Sequence, residues 1–192
     1  MTRDEILEAA AQVFRRKGFH GASMQDIAEA VHLQKASLYH HVSSKQEILL
    51  ALLDRALDLL FECLEPLTRS PAPAPEKLRQ MILTYLRTLT EEIDLAAVLL
   101  LEHRSLEPEL RNRHIPKRDR FEQLWREVLE QGKTEGVFVV ADVPLTARAI
   151  LGILNWTITW YRSDGAFSVQ QIGEMYADLL LNGLLKRTGG QE

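Results

Sequence analysis

Between Ser23 and Ser44 the chain carries two helical patterns too short to stand alone. One runs from Met24 to about Val31, the other from Lys35 to about His41, and His32-Leu33-Gln34 joins them. A helix of seven or eight residues is not stable in water by itself. Each must be held by packing, and Ile27, Ala28, Val31, Leu33, Leu38 and Val42 can supply it against Ala10 and Phe14 of a preceding helix. Two short helices fixed through a three-residue turn form a helix-turn-helix, which presents its second helix outward.

The rest of the chain also has the helical period. The first pattern spans about Arg3 to Lys17, acidic at its start and basic at its end, as the helix dipole prefers, and Gly18 stops it. Ser23, with Asp26 three residues on, predicts an N-cap for the second helix, and Ser44 caps a long helix from Lys45 to about Glu65. Pro71, Pro73 and Pro75 make a stiff linker. A helix from Glu76 to about Ile93 follows, then a short buried one over Leu95–Leu101. Pro108 and Pro116 predict a break or kink before a helix over 117–134. Two last helices run from about Leu145 to Arg162 and from Ser168 to Arg187. Residues 137–140 are the only short strand candidate. The expectation is an all-α protein of about nine helices: an N-terminal domain over 1–46, then a larger helical domain over 47–192.

Charge does not announce a nucleic-acid partner. The net charge is -4, and residues 1–50 balance six basic against six acidic side chains. Function must rest on placement, not on the sum. The single cysteine, Cys63, allows no disulfide framework and fits a reducing, cytoplasmic setting. The longest apolar run, Leu95–Leu101, is too short to span a bilayer, and the charged N-terminus does not read as a signal peptide. No Ser–His–Asp set, paired carboxylate site or glycine-rich phosphate loop is visible, so an enzyme is not expected. Glu102-His103 with Glu107 comes nearest. Histidines 20, 32, 40 and 41 lack metal-ligand spacing. Neither metal nor cofactor is expected.

The pattern Ile27-Ala28, Leu33, Lys35-Ala36-Ser37-Leu38-Tyr39-His40-His41, Ser44-Lys45, Leu49 resembles the N-terminal domain of TetR-type regulators. It departs at His32, where the turn normally has glycine, and at Val42, where phenylalanine is common. The resemblance implies a homodimer on a palindromic operator of double-stranded DNA, and usually repression. It implies that Tyr39 reaches a phosphate, which a phenol can do. Lys45 opens a helix against the dipole, which a nearby phosphate would explain, and Ser23 caps a helix whose amides could face another. Thr2 and Arg3 would reach the DNA backbone, Gln25 a phosphate or a base edge, and Met24 belongs to the same DNA-facing set, while Lys35, Ala36, Ser37 and His40 are placed to read bases.

The segment 152–165, with Trp156 and Trp160 one turn apart, is similar to the penultimate helix of the fatty-acid-degradation, acyl-CoA-responsive TetR subgroup, although Ser163 stands where that subgroup has proline. The resemblance implies a small hydrophobic ligand, an acyl-CoA of fatty-acid or aromatic-acid degradation, that releases the protein from DNA. Helical faces suggest a lining of Leu60, Leu64, Leu86, Leu89, Leu99, His103, Leu124, Trp125, Leu154 and Trp156. Arg104, Arg111, Arg113, Lys117 and Arg118 are candidates for a CoA phosphate. Ile153, Trp160, Ile172, Met175, Tyr176, Leu179, Leu180, Gly183 and Leu184 are the expected dimer face. Two other readings stand beside this one: a TetR-type regulator of an efflux pump that senses drugs, and a helical protein adaptor that binds no DNA.

Overall fold

The structure, a computed structural model, describes residues 2–184. Nine α-helices form among the described residues: α1 (Arg3–Lys17), α2 (Met24–Ala30), α3 (Lys35–Leu38), α4 (Lys45–Thr68), α5 (Ala74–Glu91), α6 (Ile93–Ala97), α7 (Pro108–Thr134), α8 (Val143–Trp160) and α9 (Val169–Leu184). A π-helical turn, Val98–Glu102, and a 3-10 turn, His103–Ser105, continue α6. No strand forms among the described residues. Residues 137–140 are held by Val139 N–H, which donates to Leu184 O at 2.8 Å. The last part of the helix expected to reach Arg187 lies outside the described residues.

The chain divides into two compact units. One takes the chain up to Leu59 together with Glu92–Asp119, the other Leu60–Glu91 together with the chain from Arg120 on. In the first unit Ile6, Phe14, Ile27, Leu38, Ile48 and Leu49 are fully buried. Each such side chain is worth about 1.5–3 kcal/mol of burial. That is how α2, of seven residues, and α3, of four, persist. The second unit centres on Trp125, Tyr85, Leu78, Ile82, Leu86 and Leu154. There Tyr85 stacks on Phe121 and meets Trp125 edge-on, at ring separations of 5.9 and 5.6 Å.

The break expected at Pro116 is corrected. Pro116 sits inside α7 without ending it, and Pro66 sits inside the last turn of α4. Proline removes one helical hydrogen bond, so flanking contacts must hold the helix. Around Pro116 they do: His114 Nδ1 lies 3.0 Å from Asp54 Oδ1, and Lys117 Nζ donates to Asp54 O at 3.0 Å and pairs with Asp58 at 2.7 Å. The third helix is also shorter than expected. It ends at Leu38 and continues as turns in which His40 N–H reaches Ser37 O and His41 N–H reaches Leu38 O.

Candidate nucleic-acid interface and sensing helices

The recognition element is built from capping and packing. Ser23 Oγ accepts from Asp26 N–H at 3.1 Å, and Asp26 Oδ2 accepts from Ser23 N–H at 2.8 Å. The Lys17 ammonium, 2.7 Å from Asp26, together with the Ser23 bonds, holds the Asp26 carboxyl down to about 2. The turn that follows is tight: Leu33 N–H donates to Ala28 O at 2.9 Å, and His32 takes φ 55°. Leu38, completely buried, then anchors α3. This leaves Lys35, Ala36, Tyr39 and His40 exposed, with Ser37 half-buried; Tyr39 is 47% exposed. The side chains of Lys35 and Tyr39 have no partner among the described residues, so an ammonium and a phenol stand ready for an external acceptor.

Several expected contacts have other employment. Lys45 Nζ donates to Phe19 O at 2.8 Å and Ala22 O at 2.6 Å, and lies 4.4 Å over the Phe19 ring. The carbonyls before α2, rather than a phosphate, account for a cation at the start of α4. Met24 is buried, which corrects its place among base or phosphate contacts: only its backbone amide remains. The amide of Ser23 is taken by Asp26 and that of Asp26 by Ser23 Oγ, which leaves the amides of Met24 and Gln25 without a partner among the described residues. Thr2 and Glu5 form a capping box on α1, Thr2 N–H lying 2.6 Å from Glu5 Oε2, and Gln25 donates to Glu29 at 2.9 Å. Arg3 is exposed at the start of α1.

The sequence reading missed what steadies this element. Glu102, at the end of the π turn, accepts Phe19 N–H at 3.1 Å and Ser105 Oγ at 3.1 Å. Gln46 uses both ends of its amide, donating to Ser105 O at 3.0 Å and accepting Glu107 N–H at 3.1 Å. Arg15 pairs with Asp94 at 2.8 Å. These contacts join residues distant in sequence, for which local pattern carries no signal. They make the 94–107 segment a strap over α1 and the head of α4.

The expected ligand lining divides between the units. Leu60, Leu64, Leu86, Leu89, Leu124, Trp125 and Leu154 are buried in the second. Leu99, buried, and His103, partly buried, belong to the first. Burial, then the charges of Arg104 and Arg118, lowers the His103 pKa and favours a neutral imidazole. Trp156 is corrected: it is 67% exposed, on the face of α8 that carries Ile153 and Trp160. Of the five basic candidates, Arg111 holds Leu106 O, Lys117 holds Asp54 and Asp58, Arg113 lies 3.8 Å from Glu47, and Arg118 pairs with Asp119. Arg104 alone of the five has no side-chain partner among the described residues.

Helix α9 is apolar on two faces, which corrects the single stripe read from the sequence. Ile172, Gly173, Ala177 and Leu181 turn inward, so Ile172 is a core residue. A Cβ on Gly173 would lie 2.7 Å from Leu83 of α5. Met175 and Leu179 are exposed, Tyr176, Leu180 and Leu184 less regularly so, and Gly183 is open. Helix α8 repeats this arrangement, with Ala147, Ile150 and Leu154 inward and Ile153, Trp156 and Trp160 outward.

Residues 6–52 match the family described as bacterial regulatory proteins, tetR family, and residues 71–184 match tetracyclin repressor-like, C-terminal domain. The chain is 31% identical over 186 residues to the HTH-type transcriptional repressor KstR2 of Mycobacterium tuberculosis (strain ATCC 25618 / H37Rv), covering 96% of this chain and 93% of that protein. It resembles the crystal structure of the TetR family transcriptional regulator PfmR from Thermus thermophilus with a TM-score of 0.86 and 39% identity, over 95% of this chain and 100% of that one. It resembles AibR, solved in complex with isovaleryl coenzyme A and operator DNA, with a TM-score of 0.84 and 28% identity, over 95% and 97% of the two chains. With its helix-turn-helix and nine-helix architecture, the chain belongs to the TetR family of bacterial transcriptional regulators.

Proposed function

We propose that the protein is a homodimeric repressor that binds a palindromic operator through residues 1–46 and leaves it when an acyl-CoA enters the helices of 47–192. The observation that carries the DNA side is the outward set on and after α3, with Lys35 and Tyr39 exposed and unpartnered among the described residues. Tyr39 donates to a phosphate, while Lys35, Ala36, Ser37 and His40 meet base edges, lysine suiting guanine and the alanine methyl suiting thymine. The outward apolar faces of α8 and α9 support pairing with a second copy. That pairing would set the two reading heads about one helical turn, roughly 34–36 Å, apart. The ligand class is supported by AibR, which was crystallised with isovaleryl coenzyme A and operator DNA.

The switch follows from helix continuity. Helix α4 carries Lys45, fastened to the recognition element, at one end and Leu60 and Leu64 near the other. A ligand that displaces the far end changes the angle at which α3 is offered. A coupling of about 1–3 kcal/mol changes operator affinity 5- to 150-fold. The role is binding rather than catalysis. No helix among the described residues is long and apolar enough to cross a membrane.

Selection of an operator from random duplexes, then titration by fluorescence anisotropy with Tyr39→Phe, tests the DNA side. The variant should bind every selected sequence several-fold more weakly at unchanged thermal stability. Unchanged affinity sinks the phosphate assignment. Release from that operator by isovaleryl-CoA but not by free CoA tests the ligand side, and a footprint indifferent to both rejects the switch.

A further inference from the structure

Trp125 is 0% exposed, yet its indole N–H has no acceptor among the described residues. Thr157, equally enclosed, has a hydroxyl without a partner there. Both lie in the second unit, Trp125 within its aromatic cluster and Thr157 on the inward face of α8 with Ile150 and Leu154. The neighbouring polar groups are already satisfied by one another: Tyr85 OH donates to Asn155 Oδ1 at 2.6 Å. Thr157 is also unlike other threonines of α8. Thr146 and Thr159 return their hydroxyls to the carbonyls of Asp142 and Trp156, as helical threonines do, but Thr157 does not.

A buried donor without an acceptor is costly, and native proteins rarely leave one unexplained. An indole N–H donates and cannot accept, so its missing partner is an acceptor. The partner is also uncharged. The Tyr85 ring that meets Trp125 edge-on, and Phe121 stacked on Tyr85, offer an anion no counter-charge. The cations of this unit nearest in sequence or packing are committed elsewhere: Arg126 to Glu122, Lys77 to Thr68 O and Gln131, Arg79 to Glu174 and Asp178. A neutral carbonyl oxygen on an otherwise apolar group meets every condition.

We infer that the indole N–H of Trp125 is the hydrogen-bond donor to the acyl carbonyl of the bound ligand, with the Thr157 hydroxyl as a second polar contact. The protein thereby distinguishes an acyl thioester from an apolar molecule that lacks the oxygen. This rests on the acyl-CoA reading above and adds to it a specificity-determining residue.

The test is calorimetric titration of the full chain with isovaleryl-CoA and with its thioether analogue, in which CH2 replaces the carbonyl. The thioester should bind about 3- to 10-fold more tightly, the worth of one neutral hydrogen bond. Trp125→Phe should bring the two affinities together, and Thr157→Val should narrow the gap. In the unaltered protein, nitrogen-15 spectra should show the Trp125 indole proton moving downfield with the thioester and not with the thioether. That comparison needs no substitution, so it decides the matter even where Trp125→Phe does not fold. Equal affinities, or a Trp125→Phe protein that keeps the preference, overturn the assignment and leave the acyl-CoA reading standing. Absence of binding by both molecules overturns that reading and the assignment with it.

Discussion

Lys45 places a cation at the positive end of a 24-residue helix, an arrangement that charge alone disfavours. Its two carbonyl bonds and the face of Phe19 compensate, and they tie the loop between α1 and α2 to the head of α4. His32 carries a comparable local cost. A side chain at φ 55° is disfavoured, and a β-branched one more so. His32→Val should therefore lower stability by about 1–2 kcal/mol, while His32→Gly should hold or raise it, measured by denaturant unfolding. A Val variant as stable as the parent would contradict the left-handed turn. Asp26 offers a pH signature. Its folded pKa, about 2, lies below the ordinary 3.8, chiefly through Lys17 and then Ser23. Its contribution to stability is thus present above pH 3.8 and lost as pH falls through about 2. Thermal melts across that window should fall more steeply for the parent than for Asp26→Asn.

Elements are held at points where two backbones come close or where a side chain replaces a lost bond. At the end of α7, Gly132 faces the ring of the buried Phe138, and a Cβ there would collide with it. Gly132→Ala should cost about 1–3 kcal/mol by overpacking, read from chemical denaturation, and Phe138→Ala in the same chain should recover part of the strain. A neutral Gly132→Ala would show that the 137–140 segment is free to move aside. The unbroken α7 teaches the same lesson: Pro116 is accommodated because His114 and Lys117 clasp α4 on either side of it. Pro116 was legible as a break in the pattern. Its tolerance was not, because it depends on Asp54 and Asp58, far away along the chain.

At the scale of the whole molecule, the outward rows of α8 and α9 matter most. Ile153, Trp156, Trp160, Met175 and Leu179 hold large apolar side chains in water, and exposed apolar patches mark interaction surfaces when they are contiguous. On the proposed pairing of two copies through these rows, Leu179→Glu should leave the chain monomeric by sedimentation and weaken operator binding roughly tenfold or more, with helix content unchanged. A variant that stays dimeric would remove α9 from the pairing surface. The strap from Asp94 to Glu107 acts at this scale too, since it links the recognition element to the chain segment that leads into α7.

Helix number, the caps at Ser23 and Ser44, the stop at Gly18 and the exposed row Lys35, Ala36, Tyr39 follow from the chain alone. Each depends on contacts within one or two turns, and periodicity records such contacts directly. The two-faced character of α9, the internal use of Lys45, the burial of Met24 and the orphaned indole of Trp125 were decided only by tertiary packing. A helix pattern states which residues are apolar, but not which of its faces meets the chain's own core. Nor does it state which polar groups find partners there, because those partners are distant in sequence and brought near only by the fold.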